Sequence, residues 1–332
     1  MAPALSHPNH GPRIRRIGST LVLLAGLEGV SCGSGRSTPS SPSAVTPPSA
    51  PSSFKVVSGE TGQPVGGATV VVAGQSLRSD AQGMVSLPAG SSTGALVDLV
   101  ASGFLDRQTL LREGSATALS LWPRNTASGM DENFTATLVY TSTADGAVTG
   151  AVSMIRHRPT TTLVTVVLSP ELASDAESSR WHQLAADSLN TAVEGKLIYR
   201  VTTERPTAGV VIDVTYDPSN SGCAGGVRGF ASRRTSAGEI TGGSVVYCAS
   251  DAPRSGTVVH ELGHTFGLGH SPDTRDVMYF AFVRGRSDVY TPKEALAMKL
   301  MMARPPATKY PDNDRETSGA SVEDGVQVIR CR

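Results

Sequence analysis

Residues 260–270 read H-E-L-G-H-T-F-G-L-G-H. His260 and His264 are four apart, a spacing that on a helix places both imidazoles on one face, one turn apart. Side chains so placed can share one metal ion, and nitrogen ligands of this kind suit zinc. Glu261 sits beside them, where its carboxylate can reach a water on that metal. Gly267 adopts left-handed backbone at no steric cost and lets the chain break out of the helix. His270 then returns as a third nitrogen ligand. Three neutral imidazoles leave the fourth tetrahedral position open to water, the ligand count of a catalytic rather than a structural site. The expected chemistry is hydrolysis, with Glu261 as general base for the activated water.

The run from His260 to Tyr279, H-E-L-G-H-T-F-G-L-G-H-S-P-D-T-R-D-V-M-Y, resembles the metzincin zinc peptidases, and within them the matrixins. Ser271 follows the third histidine, Met278 stands where that family places the methionine of its Met-turn, and Tyr279 follows it. The resemblance implies a zinc endopeptidase that cleaves protein or peptide substrates. His260, His264 and His270 would be its zinc ligands and Glu261 its catalytic base. Met278 would be a platform beneath the metal, and Tyr279 part of the substrate pocket. Phe280 replaces the proline usual at the next position. No P-R-C-G-type propeptide segment is present, so a cysteine-switch zymogen is not expected. A structural calcium ion is compatible with the resemblance but follows from no spacing here. The alternative is an exported surface binding protein that keeps the metzincin-like fold and uses zinc for stability alone. Glu261 speaks against it, because a purely structural site has no use for an acid there.

The elements that must position this site read as an α+β domain over residues 122–305. A strand ending at Leu168 precedes a helix opened by the capping box Ser174-Asp175-Ala176-Glu177. Trp181, Leu184, Ala185, Leu189 and Ala192 mark its buried face at helical spacing, with His182 on the solvated side. Strands follow at Ile198–Thr202 and Val210–Thr215, then a Gly/Ser/Arg-rich loop, then a strand at Ser244–Cys248. Together they predict a mixed sheet with helices on one side. A substrate strand would add to an exposed edge in the 228–247 region, where Gly238, Gly242 and Gly243 permit close approach. Val258, Val259, Leu262 and Phe266 would bury the histidine-bearing helix. Thr291-Pro292-Lys293-Glu294 opens a last helix whose methionines pack beneath the site. From Arg304 the chain is polar and Pro-rich, and a poorly ordered tail is expected over 306–332.

Residues 54–121 carry short β-branched runs separated by turn residues, which suggests a small all-β sandwich. The patterns T-G-Q-P-V-G-G-A-T-V-V-V, S-D-A-Q-G-M-V-S-L and A-S-G-F resemble carboxypeptidase-regulatory-like domains. Without a histidine or a catalytic cluster, the segment reads as a spacer or accessory fold. A Ser/Pro-rich stretch at 33–53 cannot bury a core and reads as a linker.

Arg13, Arg15 and Arg16 precede the apolar run Leu21–Leu27, a pattern of signal peptides that is too short for a lasting membrane span. Gly29-Val30-Ser31-Cys32 resembles a bacterial lipobox, which implies lipidation at Cys32. An exported bacterial lipoprotein held at the membrane by that lipid is expected, with plain secretion as the alternative. Cys223 and Cys248 flank a strand region, and a disulfide between them fits an oxidising compartment. That leaves Cys331, free or competing for a partner. Lys+Arg and Asp+Glu both number 29 in 332 residues, so no basic excess points to nucleic acid.

Overall fold

Apolar β-branched runs alternate with amphipathic helices from Leu163 onward, and this segment builds the larger sheet. The computed structural model describes residues 53–91, 93–111, 118–124, 131–140, 153–315 and 325–331. The expected signal segment, Cys32 and nearly all of the Ser/Pro-rich linker lie outside them. The first strands are β1 (Ser53–Ser58), β2 (Thr69–Val72), β3 (Gln75–Arg78), β4 (Met84–Ser86), β5 (Leu96–Val100), β6 (Arg107–Leu110) and β7 (Ala118–Leu121). They form two small sheets, ordered β4-β1-β7 and β3-β2-β5-β6. Phe54 and Val56 of one sheet share a core with Val70, Val72, Val97 and Leu99 of the other.

The chain continues through α1 (Glu132–Tyr140), β8 (Arg156–His157), β9 (Leu163–Leu168), α2 (Pro170–Ser174), α3 (Ala176–Ala192), β10 (Ile198–Thr202) and β11 (Val210–Tyr216). Next come β12 (Gly229–Ser236), β13 (Glu239–Tyr247), α4 (Thr257–Phe266), α5 (Pro292–Ala303) and β14 (Gly325–Cys331). The larger sheet is ordered β10-β9-β11-β13-β12-β14, with β8 also paired to β13. Strands β9, β10, β11 and β13 run parallel, while β12 and β14 are antiparallel to their neighbours. It is a mixed sheet, and α4 packs against β12, β13 and α3.

Several expectations are corrected. The Gly/Ser/Arg-rich loop is strand β12, hairpin-paired with β13 through Ala237 and Gly238, both at positive φ as a tight two-residue turn requires. Gly243 lets β12 approach, since a Cβ there would lie 2.3 Å from the Ser232 carbonyl oxygen, and a Cβ on Gly238 would meet Ala307. Their close approach is to the chain itself. The cap of α3 is Asp175, whose carboxylate accepts from Glu177 N–H at 3.0 Å and Ser178 N–H at 3.4 Å. Ser174 instead donates to Glu171 O.

The buried face of α3 runs through Ser178, His182, Ala185, Leu189 and Ala192, so His182 is inside and Trp181 only half-buried. The neutral imidazole of His182 is satisfied by Ser178 O at 2.7 Å and the Tyr247 hydroxyl at 3.1 Å. Burial pulls its pKa down to about 4.

Residues 304–314, expected to be poorly ordered, strap the small sheets to the rest. Arg304 donates to both Asp312 carboxylate oxygens at 2.7 Å and to Ser120, and Arg107 pairs with Asp314 at 3.0 Å. Paired in this way, the charges tolerate burial that composition alone argues against.

Buried Arg156 closes α5: one guanidinium nitrogen, with its two protons, lies among the carbonyls of Met301, Met302 and Arg304 at 2.8, 2.6 and 2.7 Å. These are the orphan acceptors of a helix end. Replacing Arg156 with Met should cost about 1–3 kcal/mol, the usual penalty when buried acceptors lose their donor. A chemical-denaturation midpoint unchanged from wild type would show that the contact is dispensable.

Candidate metal centre

Every residue of α4 is buried, because the helix lies between α3 and the β12–β13 hairpin. Gly263 faces Met278: a Cβ there would sit 2.4 Å from the Met278 sulfur and 3.0 Å from the Tyr290 hydroxyl. That hydroxyl is held by Val259 O at 2.6 Å. Gly267 ends the helix at φ +128°, and a Cβ there would be 2.3 Å from Ile155 O. Only glycine fits both the backbone angle and the space. The chain turns there and brings His270 back beside His260 and His264, with ring centroids 5.4 and 4.8 Å away.

The two helical imidazoles have fixed tautomers. His260 Nδ1 lies 2.6 Å from Val277 O and His264 Nδ1 2.9 Å from Leu268 O. A carbonyl only accepts, so each Nδ1 carries the proton and each Nε2 carries a lone pair. Those two Nε2 atoms stand 3.0 Å apart. Facing lone pairs at this distance in a buried site repel unless a cation lies between them, and the donor set fits a metal ion. Burial holds both imidazoles well below the usual histidine range, with neighbouring histidines adding to the effect. They therefore stay in the unprotonated form that a metal requires.

The fourth position is not open. Cys331, at the end of β14, places its Sγ 3.1 Å from His260 Nε2, 3.3 Å from His264 Nε2 and 3.6 Å from His270 Nε2. His260, His264, His270 and Cys331 form a buried group whose donor atoms all lie within 4.8 Å of one another. The sequence reading missed this residue. The signal available was arithmetic: a cysteine left over once Cys223 and Cys248 pair.

Glu261 is buried beside the cluster, and neither carboxylate oxygen has a hydrogen-bond partner among the described residues. Burial pushes its carboxyl up to about 8, while the Cys331 thiol and the Arg286 guanidinium favour the charged form. Met278 is fully buried, and its N–H donates to Glu294 Oε1 at 2.8 Å. Glu294 also closes the capping box of α5 with Thr291. Tyr279 is half-buried, its ring tilted against exposed Phe280 at 4.6 Å. Phe280 in turn lies 6.4 Å from the His270 ring. Cys223 and Cys248 are joined by a disulfide. Sequence reasoning also passed over Arg233, fully buried in β12, which donates to His264 O at 3.4 Å and Gln327 Oε1 at 3.1 Å. Burial lowers its pKa to about 10.

The sequence profile of the family described as Peptidase M66 matches residues 225–288. That segment holds β12, β13, α4, His270 and the Met278 turn, and over it the chain is similar to a metallopeptidase. Among solved structures, metalloproteinase-II from Bacteroides fragilis is similar at 13% identity, over 76% of this chain and 85% of that one, with a TM-score of 0.31. Comparison with curated proteins gives no match.

Gly267 should be the residue that sets the third ligand. Gly267→Ala forces a disfavoured backbone angle, costing about 1–3 kcal/mol. It also drives a methyl into Ile155 O, so His270 should leave the cluster. Calorimetric metal titration should show weakened binding together with a lowered melting temperature. Unchanged affinity would mean that the turn does not position His270.

Proposed function

We propose that this chain is a zinc-dependent endopeptidase of metzincin type, with matrixin-like features around its Met278 turn. One observation carries the proposal: a buried carboxyl, Glu261, in no salt bridge among the described residues and with the Cys331 thiol beside it, next to imidazole lone pairs that converge on one point. A buried acid with no cationic partner is costly in a merely structural setting. It is useful where a proton must be taken up and released.

His260, His264 and His270 would hold the metal through Nε2. Zinc, when bound, supplies Lewis-acid chemistry, acidifying water and polarising a carbonyl. A carboxylate oxygen of Glu261 takes the proton from the attacking water and returns it to the leaving amine. The carbonyls of Val277 and Leu268 keep His260 and His264 in the ligating tautomer. Met278 supports the cluster from below through Gly263. Tyr279 and Phe280 form one wall of the side-chain pocket. The substrate lies extended along the outer edge of β12, the edge that β14 occupies in the structure.

Residues 122–305 would form the catalytic domain, with 54–121 as an accessory module resembling carboxypeptidase-regulatory-like domains. Residues 1–32 would direct export and 33–53 would be the linker. Lipidation at Cys32 would hold the protein at a bacterial cell envelope. The substrates are proteins or peptides.

A second reading is a binding protein with a structural zinc. It is favoured by Cys331, because closed four-ligand sites are the structural kind. It gives Glu261 no task. Glu261→Ala separates the two, made both alone and with Cys331→Ser so that β14 does not mask turnover. The variant should keep its zinc and lose casein cleavage by about 10²–10⁴-fold, the usual contribution of a positioned general base. His264→Ala should lose metal and cleavage together. Cleavage by Glu261→Ala at the parent rate, in a preparation silenced by chelator, would refute the assignment.

A further inference from the structure

Strand β12 is flanked by β13 on one side and would be an open edge on the other. Instead β14 covers it, antiparallel, from Thr235↔Gly325 to Gly229↔Cys331. Along β14 the alternation is clear. Ile329 and Cys331 are buried and Gln327 is half-buried, while Val326 and Val328 are 64% and 44% exposed. Two solvent-facing valines contribute little packing, so the inward residues must hold the strand.

Each inward polar group meets a specific partner. Gln327 accepts from the buried Arg233 guanidinium, which forms no salt bridge among the described residues and spans from Gln327 to the His264 carbonyl. Cys331 ends the strand with its sulfur against all three ligating nitrogens. Opposite Cys331 is Gly229, where a Cβ would come within 3.2 Å of Glu261 Oε1. The missing side chain leaves room for the carboxylate beside the thiol.

We propose that Cys331 is a fourth metal ligand and that β14 is a tethered occupant of the substrate edge, so that the described conformation is a latent enzyme. This rests on the metallopeptidase reading above. The donor chemistry supports it: one S–H can serve only one of the three lone-pair nitrogens, whereas a cation joins the sulfur and all three together, and a thiolate is a strong zinc ligand. The location supports it independently, because the strand that delivers the thiol pairs with the strand nearest Glu261. A peptide substrate must displace both contacts, the backbone ladder with β12 and the sulfur at the metal. Arg233 would then be left to accept a polar or acidic side chain of the substrate, four residues upstream of the position Cys331 occupies. No chemical change is needed for opening. β14 leaves β12, and Cys331 leaves the metal with it. The absence of a P-R-C-G-type segment argued against a cysteine switch, and the structure supplies a cysteine from a strand far along the chain.

The test uses the full chain loaded with cobalt(II) in place of zinc. Wild type should show a near-ultraviolet thiolate-to-cobalt charge-transfer band, and Cys331→Ser should bind cobalt without it. Iodoacetamide should label Cys331 in the metal-loaded protein about tenfold more slowly than after chelation. Casein cleavage by Cys331→Ser should exceed wild type by about tenfold or more, since a tethered competitor acts at an effective concentration on the order of millimolar. Gln327→Ala, which leaves the metal ligands in place, should raise both labelling and cleavage, and it serves if the serine variant fails to fold. Cobalt bound with no thiolate band and with labelling unaffected by metal would overturn the inference while leaving the peptidase reading standing. No metal bound by any variant would overturn both.

Discussion

Two imidazole nitrogens of α4 face each other with their lone pairs 3.0 Å apart, and much of the surrounding structure serves to hold them there. Val277 and Leu268 carbonyls take the outer ring protons. Gly263 lets the Met278 sulfur come up beneath the helix, and Tyr290 pins that layer to the Val259 carbonyl. Glu294 holds the Met278 N–H and so ties the turn to the first turn of α5. With all of α4 buried, the rings cannot swing into solvent to relieve the repulsion. The single Cys331 S–H can serve one of them, whereas a cation satisfies both at once.

Burial of this degree has to be reconciled with several charges inside the fold. Arg156 is satisfied by three carbonyls at the end of α5, and Arg304 by Asp312 and Ser120. Those contacts also fasten the small sheets to the sheet that bears the site, because Ser120 belongs to β7 and Arg107, which pairs with Asp314, belongs to β6. Glu261 differs, a buried carboxyl in no salt bridge among the described residues. A buried acid in such a setting suits the uptake and release of a proton, the role proposed for it above. Arg233 stands between the two cases. Its hydrogen-bond partners are neutral, and one of them, Gln327, sits on β14.

The parts of this that are legible in the sequence are the local ones. A spacing of four residues puts His260 and His264 on one face, and a glycine after the helix returns His270. The β-branched runs of β9, β10 and β11 announce strands of a mixed sheet. Parts that depend on distant partners leave little trace. Gly229 and Cys331 are far apart in the chain and adjacent in the sheet, and no local pattern encodes that pairing. β12 looks like a loop because its glycine, serines and paired arginines give no apolar strand pattern; cross-strand contacts with β13 and β14 override that. His182 looks solvated because histidine is polar, yet two hydrogen bonds let it lie inside α3's packed face while Trp181 stays partly outside. The 304–314 strap looks disordered because its stabilising partners, Ser120 and Arg107, belong to another sheet.

The ligand set itself is the central claim, and X-ray absorption at the zinc edge of the zinc-loaded full chain measures it directly. The structure predicts a four-coordinate site with three nitrogens at about 2.0–2.1 Å and one sulfur at about 2.3 Å. A first shell of nitrogen and oxygen alone would contradict closure by Cys331, and a protein that retains no zinc would contradict the metal centre altogether.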